Sequence, residues 1–231
     1  MHLVKCLLME TLEVAPRTGQ ATPAPRQLPI VGGHLALDFA NTVDDPEGVA
    51  RYDHIGSYPE LVGWSIRVGI LVPDQAAELL PAAEAHRRAA LAALKRAHAL
   101  RRILIEVFTD VAAVNIGKQP AQLAPVAGWT ELRPFVKDAI AQAELASSGT
   151  TYELNWPLTA RLDGLLWPIG VAAAELLTSP QLARVKKCAG CPWVFLDQSK
   201  NFSRRWCAMN DCGTHEKIRR YVTKRAALRR S

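Results

Sequence analysis

The chain has 231 residues, 49% of them hydrophobic, and 28 Lys and Arg against 22 Asp and Glu give a net charge of +6. This composition excludes a disordered or fibrous chain and suits one good-sized core plus a small module; no apolar run approaches the roughly 20 residues a membrane span needs. From Gln181 onward thirteen Lys and Arg meet three acids, a net of +10 that leaves −4 for everything before it, so a polyanionic partner is expected for the end alone.

Taken in order, Val14 to Pro29 is rich in Pro, Thr, Gln and Ala, and Met1 to Pro29 as a whole reads as a poorly ordered tail without an evident export signal. Order should begin at Ile30. Two glycines, Gly32 and Gly33, make a turn, and Leu35, Leu37 and Phe39 alternate as in a half-buried strand. His34, Asp38 and Asn41 crowd around that strand as a candidate ligand pocket, although Asp and Asn at such positions also cap turns. Between Pro81 and Val114 lies the longest helical pattern. Leu100, Ile103, Leu104, Val107, Phe108 and Val111 keep three-and-four spacing, and Ala89, Ala93 and Ala97 continue the stripe. A second amphipathic helix is expected over Trp129 to Leu145, a strand over Thr150 to Trp156 paired with the one at Leu35 to Phe39, and a last helix over Leu158 to Leu177, which Pro168 kinks or begins.

The end of the chain carries the most specific pattern. Cys188 and Cys191 are followed, fifteen residues on, by Cys207 and Cys212, and two close pairs with such a spacer match a tetrahedral zinc site. Structural thiols or two disulfides are the other readings of four cysteines, and the only remaining cysteine is Cys6, which fits a reducing, cytoplasmic setting. Trp193 to Leu196 and Phe202 to Trp206 should be the arms of a hairpin about the polar turn at 197–201. Thr214 is a candidate N-cap for a helix whose Ile218, Tyr221 and Val222 should face the hairpin. Lys217, Arg220 and Lys224 then form a separate stripe toward solvent, the layout of a helix that meets DNA.

The pattern of CxxC, spacer, Trp206-Cys207, Met209-x-x-Cys212-Gly213 and Lys217-x-x-x-Tyr221 resembles the CGNR-type zinc finger of bacterial proteins. That finger ordinarily follows an ABATE domain. The stretch from Gly33 through Leu37-Asp38-Phe39-x-Asn41-Thr42, with Leu61-Val62-x-Trp64 and Gly69-Ile70-Leu71 after it, is similar to the start of that domain. The resemblance implies a stress-linked transcription regulator. Thr214 and His215 stand where the finger's pattern has Asn and Arg, which leaves the metal ligands intact and removes the arginine as a contact.

The expected fold is α+β: a tail over 1–29, a mainly helical domain with a small sheet over 30–180, and a treble-clef-like zinc module with a basic helix over 181–231. No Walker-type phosphate loop, nucleophile elbow or helix-borne His-Glu-x-x-His occurs, so an enzyme is not expected. The expected function is DNA-binding transcription regulation with Zn2+ as the metal, while the body senses a small-molecule effector or makes a homodimer. The competing function is a zinc-module adaptor for RNA or protein.

Overall fold

The computed structural model describes residues 28–44, 52–115 and 128–228. Seven α-helices and three two-stranded antiparallel ribbons are found among them. The tail expected over 1–29 lies outside the described residues except at its end, where Leu28 is buried and its carbonyl accepts from Arg67.

The first element corrects an expectation: Leu35–Ala40 is a helix, α1, instead of a strand. Ala36, Leu37, Asp38, Phe39 and Ala40 are all buried, so the apolar pattern reflects burial on every side and cannot distinguish a period of two from one of 3.6. Gly32 and Gly33 do make the turn. Gly33 has φ +72°, and a Cβ on Gly32 would lie 2.8 Å from the Asp38 amide.

Two short strands follow, β1 (Val43–Asp44) and β2 (Tyr52–Asp53), paired Val43 to Asp53. They are tied down from beneath by buried Arg101, whose two terminal nitrogens each donate to one Asp53 oxygen at 2.6 Å. Helix α2 (Tyr58–Arg67), which carries Leu61, Val62 and Trp64, is capped by Ser57 and is followed by Gly69 at φ +77°.

The long helical pattern divides into α3 (Pro73–Ala85) and α4 (Arg87–Asn115), with the break at His86. Restarting at Arg87 shifts the small-residue stripe, so that Ala90, Ala93 and Ala97 are buried and Ala89 is not. Leu100, Ile103, Leu104, Val107, Phe108 and Val111 are buried as their spacing requires. This helix is the central beam: α1, α2, α3, α5 and the later β5 and β6 all lie against it.

Helix α5 (Trp129–Gln142) packs on α6 (Trp167–Thr178), whose start, one residue before Pro168, shows that the proline begins the helix and does not kink it. Between them β3 (Glu144–Ser148) and β4 (Thr151–Asn155) form a hairpin with each other, Leu145 opposite Leu154. The strand expected at 150–156 is therefore present, but its partner is its own neighbour, because the segment at 35–40 is helical.

The last ribbon joins β5 (Val185–Lys187) to β6 (Val194–Leu196). Its alternation divides the strand between two cores. Val194 and Leu196 belong to the main hydrophobic cluster with Val185, whereas Phe195 packs with Cys188 and Cys207 in a second, small cluster. Helix α7 (Thr214–Leu228) ends the described chain. The architecture is thus a mostly helical body with small antiparallel ribbons and a cysteine cluster at its C-terminal end.

Candidate metal centre and nucleic-acid interface

The hairpin around the cysteines differs from the expected one. Cys188 and Cys191 sit in the loop between β5 and β6, so the arms are 185–187 and 194–196, while 202–206 forms no strand. The Cys188 amide donates to the Trp193 carbonyl at 2.8 Å and extends the ribbon by one step. The Ala189 amide donates to the Arg205 carbonyl at 2.9 Å, which draws the segment carrying Cys207 across the loop. A single turn of wide, π-type helix, Met209–Gly213, then places Cys212.

The four cysteine Sγ atoms lie within 4.8 Å of one another. Four sulfurs at about 2.3 Å from a zinc ion sit about 3.8 Å apart on a tetrahedron. Cys191 to Cys207 is 3.5 Å and Cys207 to Cys212 is 3.7 Å, so the donor set fits that ion in both chemistry and spacing. Gly190 is needed here, since a Cβ on it would stand 3.2 Å from the Cys212 Cβ.

The thiols titrate unequally. Cys188 is pushed far below the ordinary thiol range, first by its side-chain hydrogen bonds with Cys191 and Cys207, and then by the amides of Cys207 and Gly190 that point at its sulfur. Cys191 and Cys207 are pushed up, each first by its side-chain bond to Cys188, and Cys212 is pushed up first by burial. One thiolate is stable here and a second beside it is not. A divalent cation removes that conflict, and zinc would be held by all four as thiolates.

Around the cluster, three basic side chains act as struts. Asp197 is fully buried and accepts from Lys186 Nζ (2.7 Å), from the Ser199 amide and hydroxyl (2.9 and 2.6 Å) and from the Arg204 amide (3.1 Å). Burial raises its pKa, but the Lys186 and Ser199 bonds together outweigh it and hold the carboxyl at about 2. Arg204 reaches the carbonyls of Val31, Trp206 and Cys207 with its guanidinium over the Phe195 ring, and Arg184 stacks 4.0 Å from the Phe202 ring centroid. The polar turn read at 197–201 therefore contains an internal anchor. The Ser199 bonds are local to the turn, whereas Lys186 and Arg204 reach Asp197 from either side of it.

The candidate pocket residues take another task. His34 Nδ1 accepts from the Ala36 amide, Asp38 Oδ1 accepts from the Gly32 amide at 2.7 Å, and Asn41 binds the backbone of Val194 in both directions, Nδ2 to O at 2.8 Å and N to Oδ1 at 3.0 Å. These bonds brace the glycine turn, α1 and β6. Asn41 acts as a one-residue strand beside β6. The Leu196 amide to the Gly32 carbonyl (2.7 Å) and Trp193 Nε1 to the Val43 carbonyl (3.0 Å) complete the seam. Burial raises the Asp38 carboxyl to about 6 against the lowering effect of the Gly32, Val31 and His34 backbone.

Helix α7 overturns a packing expectation. Ile218, Tyr221 and Val222 do not cover the hairpin; they are 55%, 60% and 59% exposed. The small core is packed by Phe195 with Val31, Trp193 and Trp206, and no residue of this helix belongs to it. Thr214 is the first residue of the helix, and its hydroxyl donates back to the Met209 carbonyl (3.1 Å) instead of accepting from the first turn. Lys217, Arg220 and Lys224 are exposed along one face as expected. Arg220 Nε donates to Glu216 at 2.9 Å, and this bond leads the lowering of the Glu216 pKa.

A helical body joined to a four-cysteine module with a free-standing basic helix defines a class of protein, a metal-finger protein with a second, larger domain. Residues 33–180 match the ABATE family, described as "Putative stress-induced transcription regulator", and residues 184–225 match the CGNR zinc finger. The chain belongs to the ABATE family and carries the CGNR zinc finger behind it. No curated protein matches it. Among the described residues no helix is long and apolar enough to cross a membrane.

Proposed function

We propose that this chain is a cytoplasmic transcription regulator that binds duplex DNA through α7, with zinc on Cys188, Cys191, Cys207 and Cys212 fixing the root of that helix. The observation that carries the reading is the exposure of α7. Every described residue from Lys217 to Arg225 is exposed, and five of those nine are Lys or Arg. A helix with that charge, exposed from Lys217 to Arg225, is available to phosphates along that length. The family description supports the regulatory part of the reading. Neither family description names an enzymatic activity.

Lys217 and Lys224 are the phosphate contacts that need no rearrangement, whereas Arg220 must first exchange Glu216 for a phosphate. Affinity for duplex DNA measured against salt tests this. Removing Lys217, Arg220 and Lys224 together should lower the logarithmic salt slope by nearly 3, at about 0.9 for each contact. An unchanged slope and affinity would move the reading to an adaptor that binds RNA or a protein partner. The exposed Ile218, Tyr221 and Val222 favour the protein form of that reading.

A further inference from the structure

Among the described residues, no third strand pairs with either edge of the β3–β4 hairpin. Eight of its ten strand residues are exposed, all but Ser148 and Leu154, and Leu145 and Tyr152, 70% and 73% exposed, are the most exposed large apolar side chains among the described residues. Its root is fixed. Trp156 Nε1 donates to the Ala139 carbonyl at 2.8 Å, and Leu154 and Trp156 pack against the main core. A two-stranded ribbon with unpaired edges and an apolar face is marginal alone and is a template for another strand.

We infer that the β3 edge pairs with the β3 edge of a second copy of this chain, in antiparallel register about Ala146, to form a four-stranded sheet across a twofold axis. The register follows from the turn. Gly149 and Thr150 form a two-residue loop, which closes on the hydrogen-bonded pair Ser148 and Thr151. Alternation then makes Ala146 with Glu153 hydrogen-bonded, and turns the N–H and C=O of Leu145 and Ser147 outward. Two such edges satisfy all of those groups when Leu145 pairs with Ser147 of the second copy and Ser147 with its Leu145, which leaves Ala146 facing its own copy at the pivot. Leu154 and Leu145 of one copy then share a row across the sheet with Ser147 and Tyr152 of the other.

Charge selects this edge over the other. On β4 the outward groups belong to Tyr152 and Leu154, so self-pairing there would set Glu153 directly against its own copy. The β3 pivot is a small neutral residue, and the strand carries no Pro, Lys or Arg to block it. A contact five residues long lies at the small end of specific interfaces, so the dimer should be concentration-dependent. None of this depends on DNA binding.

The test is the mass of the zinc-loaded full chain by sedimentation equilibrium from about 1 to about 500 μM, with cross-linking of single-cysteine additions in a Cys6→Ser background. Wild type should pass from monomer to dimer. Ala146→Asp, at an exposed side chain, should weaken the dimer at least roughly tenfold with an unchanged circular dichroism spectrum, since two carboxylates then face each other. Ala146→Cys should give a dimer cross-linked through residue 146, and Glu153→Cys should not. A wild type that stays monomeric, a dimer unaffected by Ala146→Asp, or cross-linking at 153 in preference to 146 would each overturn the inference; the last would assign the contact to β4.

Discussion

The two ends of the metal module are held in opposite ways. Its entrance, β5 and β6, is set into the body: Val185, Val194 and Leu196 share the main core, and Gly32, Asn41 and Val43 bond to the residues around β6. Its exit, α7, leans on little beyond the turn that carries Cys212. The cysteine cluster therefore stands between a fixed element and a free one. A metal there would set the direction in which a helix leaves that fixed surface.

Removing the metal should break the comparison most completely. Structural zinc in small modules contributes roughly 10–16 kcal/mol of apparent binding free energy. Chelation or Cys207→Ser should therefore release the exit side, with amide exchange rising to that of an unfolded chain from Cys207 through α7. The helices of the body should persist while β6 loosens, because only one face of β6 depends on the cluster. Zinc content and exchange measured together check this.

Apolar truncations should show the asymmetry within one module. Leu196→Ala, at 3% exposure in the main core, should cost about 2–5 kcal/mol in urea unfolding. Tyr221→Ala, at 60% exposure, should cost less than about 0.5 kcal/mol. Equal losses would mean that α7 is packed against something in solution.

Asn41→Ala should cost about 2–4 kcal/mol, since it strands the amide and the carbonyl of buried Val194. Zinc should still bind, as no ligand moves. Loss of zinc in this variant would show that the seam and the cluster form one cooperative unit.

A further expected effect is one of pH. Burial raises Asp38 to about 6, above the ordinary value near 3.9. The folded state therefore holds this proton more tightly than the unfolded state. The stabilisation it gives is complete below about pH 4 and lost as pH rises through 6, at most about 2–3 kcal/mol. Asp38→Asn, which keeps an acceptor for the Gly32 amide, should flatten the stability profile over that interval. Asp197 has the opposite sign, since its pKa is lowered to about 2: its contribution is present above about pH 4 and fades as pH falls through 2.

The sequence was most readable where local chemistry decides the outcome. The spacing of Cys188, Cys191, Cys207 and Cys212 identifies the cluster because each pair is made by a few residues, and the stripe from Leu100 to Val111 identifies α4 because one face of a long helix is buried. Leu35 to Ala40 was misread because nearly every side is buried, which erases periodicity. The partners of β4 and β6 were misassigned because pairing is set by the whole fold. The Asn41 brace was hidden for the same reason, since its partner is 153 residues away. Exposure of α7 could not be read from its pattern, which shows that a face is apolar and does not show whether anything covers it.

The seam between Asn41 and Val194 also bears on how the chain is made. Helix α1 is buried against α4, α6 and β6, elements that are translated long after it. At roughly 5–20 residues per second, the ~150 residues between Asn41 and Val194 take about 8–30 s to synthesise. Through that interval Leu37 and Phe39 have no complete site to enter, and the nascent chain carries them as exposed apolar surface. Folding of this body is therefore completed from its C-terminal end, and a transcript truncated before β6 would leave a sticky product instead of a smaller folded domain.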